Sequence, residues 1–93
     1  MRITIKILEN QIAQLNKMLN RPCNPWATKD GKNTASIGNF HLSQAYGGCS
    51  LHETVTEGGG VRDVFSCGHM PKRELSGRIL AMLEGIDYTN GNR

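Results

Sequence analysis

The sequence predicts an α+β fold: an N-terminal helix, a small antiparallel three-stranded sheet, and a C-terminal helix packed on one sheet face. Three observations carry this. Apolar residues recur at helical spacing near both ends of the chain, short runs between them alternate apolar with polar, and Gly-rich turns separate those runs. At 93 residues the chain is one domain, and a domain this short buries only ~60–65% of the surface its unfolded chain exposes. Hydrophobic residues make up 38% and aromatics 5%. That is thin for a self-sufficient core, so a homo-oligomer is expected to supply the missing burial.

The N-terminal segment, 1–22, puts Ile5, Leu8, Ile12, Leu15 and Leu19 on one helical stripe. Thr4 is the expected N-cap, and Asn20 with Pro22 marks the stop. The stripe is close to a heptad, suited to packing on a sheet, on a second subunit, or on both. Residues 23–34 read as a loop or hairpin insertion. Asn24-Pro25 and Asp30-Gly31 are turn signals there, and the second can close a tight hairpin. Trp26, the single tryptophan, reads first as a seal on a core edge and second as a stacking surface.

The sheet, 35–65, is expected as three runs, Ala35 to Leu42, Cys49 to Val55 and Val61 to Phe65, joined by AYGG and TEGGG into a meander. Ile37 falls on the wrong parity, which predicts a bulge near Gly38. Cys49, Leu51 and Val55 share one face of the second run, and Ser50, His52 and Thr54 the other. Phe40 and Leu42 alternate with Asn39 and His41, while Val61 and Phe65 are expected opposite to Arg62. One face is therefore apolar. The other presents Asn39, His41, Ser50, His52, Thr54 and Arg62, as plain solvated surface or as a surface built to hold a ligand. The C-terminal helix, 71–87, takes Pro71 near its first turn. It buries Leu75, Ile79, Met82 or Leu83, and Ile86, and ends near Gly85, leaving 88–93 as a tail.

The formal charge of +3 suits anionic partners: nucleotides, nucleic acid or acidic lipid. Three cysteines without a CxxC pair point to reduced thiols in a cytoplasmic compartment. The N-terminal segment meets Glu9, Asn10 and Gln11 too early for a signal sequence. The longest apolar run, Ile79 to Leu83, is too short for a membrane span. No P-loop, nucleophile elbow or carboxylate pair is present, so an enzyme is not expected. His52, Cys67 and His69, with Cys49, have the ligand types of a zinc site, but their spacing matches no finger or knuckle, and no metal or cofactor is expected. Lys72 and Arg73 open the C-terminal helix against its dipole, an arrangement that makes sense beside a phosphate. Arg78 is expected to pair with Glu74 on the surface. Lys29, Lys32, Arg62, Lys72, Arg73 and Arg78 can also form a basic patch for nucleic acid, though few aromatics interleave with them.

The stretch FHLSQAYGGCSLHETVTEGGG followed by PKREL resembles the first-described Thoeris anti-defence family of small phage proteins. The resemblance covers nearly the whole chain, with the RPCNPWATKDGKNT insertion as the departure. It implies a non-enzymatic protein of the host-cell cytoplasm. Such a protein sequesters cyclic ADP-ribose isomers, and in some cases cyclic oligonucleotides, in pockets between subunits of a symmetric oligomer. On that reading Arg62, Lys72 and Arg73 face phosphates, and Phe40 or Tyr46 stacks an adenine. Asn39 or His41 reads ribose hydroxyls or a base edge, and Gly47 and Gly48 let backbone N–H groups approach the ligand. The alternative is an accessory protein that binds nucleic acid or a host protein through the same basic surface.

Overall fold

The computed structural model describes residues 2–89, and the element order is α1 (Ile5–Met18), β1 (Trp26–Lys29), β2 (Lys32–Ala35), β3 (Phe40–Ala45), β4 (Gly48–Thr54), β5 (Val61–Asp63) and α2 (Lys72–Thr89). The architecture is α+β with two antiparallel sheets: a β1–β2 hairpin and a three-stranded sheet in the order β3-β4-β5. Both helices lie on one face of the larger sheet, α1 against β3 and α2 against β4, and they pack on each other. Among the described residues no helix is long and apolar enough to cross a membrane.

α1 begins where Thr4 caps it, its Oγ1 accepting from Ile7 N at 3.2 Å. It ends in a Schellman motif: Asn20 takes the left-handed conformation (φ 55), Arg21 N donates to Asn16 O at 2.7 Å, and Asn20 N donates to Lys17 O at 3.2 Å. The stripe behaves as its spacing predicts. Leu8, Ile12 and Leu15 are buried, with Ile5 and Leu19 packed on the core's edge. α2 buries Leu75, Ile79 and Leu83 on the same core, and Met82 and Ile86 flank it. This helix runs past Gly85, where the sequence pattern predicts its end. A lone glycine costs a helix only ~1 kcal/mol, too little to stop one anchored by three core residues. The tail expected at 88–93 is helical at Tyr88 and Thr89, and the rest lies outside the described residues.

The insertion is a hairpin, β1–β2, closed by Asp30-Gly31 at φ 53 and 77. Its second strand takes Ala35, so the first run expected for the main sheet is split: Ala35 ends β2 and β3 starts at Phe40. The bulge expected near Gly38 is there. Gly38 (φ 92) and Asn39 both oppose Thr54, with Gly38 N donating to Thr54 O at 2.8 Å and Thr54 N donating to Asn39 O at 3.0 Å.

Two polar side chains fasten α1 to the sheet. Asn16, buried on α1, behaves as an extra strand residue beside the β3 edge: Nδ2 donates to Phe40 O at 2.9 Å and Oδ1 accepts from Phe40 N at 2.8 Å. Arg21 donates through Nη1 to Gly38 O at 3.2 Å and to Glu53 Oε2 at 2.8 Å, and its guanidinium lies 5.2 Å from the Phe40 ring centroid. Glu53 receives Arg62 Nε on its other oxygen at 2.6 Å. Burial alone would raise the Glu53 pKa, but the two guanidiniums outweigh it and hold the carboxyl below its usual value.

Candidate functional site

Strand register sets the face that the helices leave uncovered. The Tyr46-Gly47 turn, with φ 54 and 74, is a two-residue connection of the type that matches strand twist. It pairs Ala45 with Gly48, and from there Ser43 faces Ser50 and His41 faces His52. On the next strand Asp63 faces His52, and Val61 faces Thr54. The polar face thus carries His41, Ser43, Ser50, His52, Thr54 and Asp63.

A seventh residue joins it from outside the strands. Met70 bridges Cys49, with N–H to O bonds of 2.8 Å in both directions. Met70 therefore turns into the core and His69 turns outward onto the polar face. His69 Nε2 lies 3.1 Å from Ser43 Oγ. A Cβ added to Gly48 would stand 3.1 Å from Met70 N and 3.2 Å from His69 Cβ, so this close crossing favours glycine there. The result is a row of rings, each edge-on to the next: Tyr46 to His69 at 6.1 Å, His69 to His52 at 6.1 Å, and His52 to His41 at 6.0 Å.

The charges on this face are set by its neighbours. Burial, and next the His52 ring, lower the His41 pKa below 6.5, with a hydrogen bond to Asn39 opposing them. For Asp63 burial pushes upward but is outweighed, so the carboxyl sits below its ordinary range. The Gly68 and Phe65 amides donate to it at 2.8 and 3.2 Å, and the Ser50 side chain and His52 add to the effect. Ser50 Oγ is buried without a hydrogen bond of regular geometry, though it lies close enough to favour the Asp63 charge. Asp63 thereby ties the loop leading to His69 onto the sheet.

The residues singled out from the sequence divide clearly. His41, Tyr46, Gly47 and Gly48 lie on or beside the polar face, and Tyr46 is 100% exposed. Lys72 and Arg73 are exposed in the first turn of α2, directly after the His69–Met70 crossing. Three others need correction. Asn39 is 1% exposed, with Nδ2 donating to Pro22 O at 2.7 Å, so it holds the chain together instead of reading a ligand. Phe40 is buried in the core beneath Arg21, which leaves Tyr46 as the exposed aromatic of the pair. Arg62 does not share the polar face: it stands opposite Glu53, on the helix side, and is ion-paired there. A three-residue strand offers too few side chains for burial to fix its phase, so the charge pair decides it. The Arg78 guanidinium, expected beside Glu74, lies 5.8 Å from the Phe65 ring centroid.

Ser43, His69 and Asp63 were not among the expected ligand-face residues. The signal existed: a two-residue turn at Tyr46-Gly47 fixes the register and carries β3 on to Ala45, adding Ser43. Of the candidate zinc residues only His52 and His69 are neighbours. Cys49 is buried on the helix side of β4, and among the described residues no three His, Cys, Asp or Glu side chains are placed to hold a metal ion. Comparison with family models, curated proteins and solved structures finds no match to this chain.

Proposed function

We propose that the protein binds and sequesters a cyclic nucleotide signal, a cyclic ADP-ribose isomer or a cyclic oligonucleotide, without turning it over. One observation carries the reading. The AYGG turn and the HMPKREL segment, remote in sequence, are joined by the Cys49–Met70 bridge, so a fully exposed tyrosine, a histidine and the basic first turn of α2 fall together. They include the AYGG and PKREL blocks on which the resemblance to the Thoeris anti-defence sponges rests. A phosphate suits the positive end of the dipole of an 18-residue helix, with Lys72 and Arg73 adding positive charge. Tyr46 offers a base its face. Large apolar side chains left exposed on α2, Leu80 and Tyr88, support self-association in the phage-infected cytoplasm.

A hydrolase reading rests on one contact, Ser43 Oγ to His69 Nε2 at 3.1 Å, the spacing of a nucleophile and its base. Among the described residues, however, no carboxylate or carbonyl accepts from the other ring nitrogen of His69, so nothing holds the imidazole for proton transfer.

Native mass spectrometry with a panel of cyclic ADP-ribose isomers and cyclic oligonucleotides separates the readings. Sequestration predicts an oligomer that takes up one of them and releases it unchanged on denaturation. Hydrolysed product that vanishes with Ser43→Ala would establish the hydrolase. Uptake of none of the panel, together with nucleic-acid binding that weakens steeply as salt rises, would return the basic surface to a nucleic-acid role.

A further inference from the structure

At the end of the histidine row away from Tyr46, the β1–β2 hairpin and the sheet form a groove of about 280 Å³, lined by Pro25, Trp26, His41, Thr54, Gly59 and Val61 among others. Trp26 is 51% exposed, with its benzo ring against Gly59. A Cβ on Gly59 (φ +98) would lie 3.0 Å from the indole Cη2 and 3.2 Å from Cζ2, tighter than ordinary contact, so the ring packs directly on the glycine backbone. The indole thus shows part of its surface to solvent while its benzo ring rests on the Gly59 backbone, so a flat partner can stack on the exposed part.

His41 lines the same groove, and its hydrogen bonds define what it offers. Asn39 Nδ2 donates to Pro22 O, so Asn39 Oδ1 can only accept. His41 Nδ1, 3.2 Å from that oxygen, must then carry the proton. Burial and the neighbouring His52 ring hold His41 below its usual pKa, which keeps it neutral at pH 7. Its Nε2 therefore retains a lone pair, and a ligand that bonds it must bring an N–H or O–H. The groove is smaller than the ~300–1,000 Å³ of sites for drug-sized ligands, a fit for one ring system and not for a whole dinucleotide.

We propose that this groove binds the planar ring of an amino-substituted heteroaromatic ligand of the nucleobase class, stacked on Trp26 and donating to His41 Nε2. The inference does not depend on the sequestration reading, since it concerns the opposite end of the polar face.

The chain has a single tryptophan, so fluorescence reports the site directly. Titration of the wild-type protein with adenosine should give saturable quenching. Purine riboside keeps the ring but lacks the amino donor, and should bind about five- to tenfold more weakly, the loss of one hydrogen bond. His41→Phe should bring the two affinities together. Inorganic pyrophosphate should leave the emission unchanged. Equal binding of adenosine and purine riboside by the wild type, quenching by pyrophosphate, or no saturable response to either nucleoside would each overturn the proposal.

Discussion

The two faces of the three-stranded sheet are built from the same strands and answer to different rules. On the helix side Phe40, Cys49 and Leu51 are buried together with the stripes of α1 and α2. On the other side His41, Ser43 and His52 are only partly covered, and they meet their neighbours ring to ring or through hydrogen bonds. The first face is held by apolar area, which tolerates no substitute for volume. The second is held by register and by a few specific contacts, so its residues can change without undoing the fold. A surface whose exposed residues carry little structural duty is one on which binding residues can accumulate.

Substitutions on the two faces sharpen that contrast. Leu51→Ala, at a fully buried site, should cost about 2–5 kcal/mol in chemical denaturation, a large part of the total for so small a domain. Gly48→Ala should cost about 1–3 kcal/mol as the added methyl presses on the His69 and Met70 backbone. The same change should shift the His69 ring resonances in NMR spectra. Were it silent in both, the crossing of β4 by the His69–Met70 segment would be looser than described.

Glu53 gives a smaller effect that depends on pH. Its carboxyl is held below the usual 4.5 in the folded state, so its contribution is complete above that value and disappears as pH falls through the folded-state pKa. Wild type should therefore melt at a higher temperature than Glu53→Gln at pH 7, and the two should converge under acid. A gap that persists at pH 2.5 would mean that the arginines contribute through packing and not charge. The smallest effect belongs to Tyr46→Ala. With the ring fully exposed, stability should stay within about 0.5 kcal/mol, while uptake of a cyclic nucleotide, measured by calorimetry, should fall at least tenfold. A large loss of stability would move Tyr46 from the binding surface to the fold.

Much of this was legible in the sequence because burial is periodic. The Leu8–Ile12–Leu15 and Leu75–Ile79–Leu83 stripes, the Thr4 cap and the bulge at Gly38 each follow from local pattern. Phase was harder to read. Arg62 was placed on the wrong face because β5 is short, and its partner Glu53 lies nine residues away on another strand. Asn39 and Phe40 read as ligand residues because nothing local reveals that Pro22 and Arg21 reach back to cover them. The face itself was half legible. Alternation supplied His41, Ser50, His52 and Thr54, whereas Ser43 and His69 required the register and a bridge that spacing does not encode.

That bridge has a consequence for the order in which the molecule loses structure. The amides of Cys49 and Met70 close a two-bond ring between the central strand and the residue just ahead of Pro71 and α2. Neither should exchange its hydrogen with solvent until this bridge opens. The β1–β2 hairpin, by contrast, is tied back to the body by the Ala35 N to Glu57 O bond of 2.9 Å and by the Trp26 contact with Gly59. Its own amides should therefore exchange through a local opening well below the free energy of global unfolding. The protein would behave as two cooperative units, a slow one that keeps Tyr46, His69 and the start of α2 together and a less protected one made of the β1–β2 hairpin.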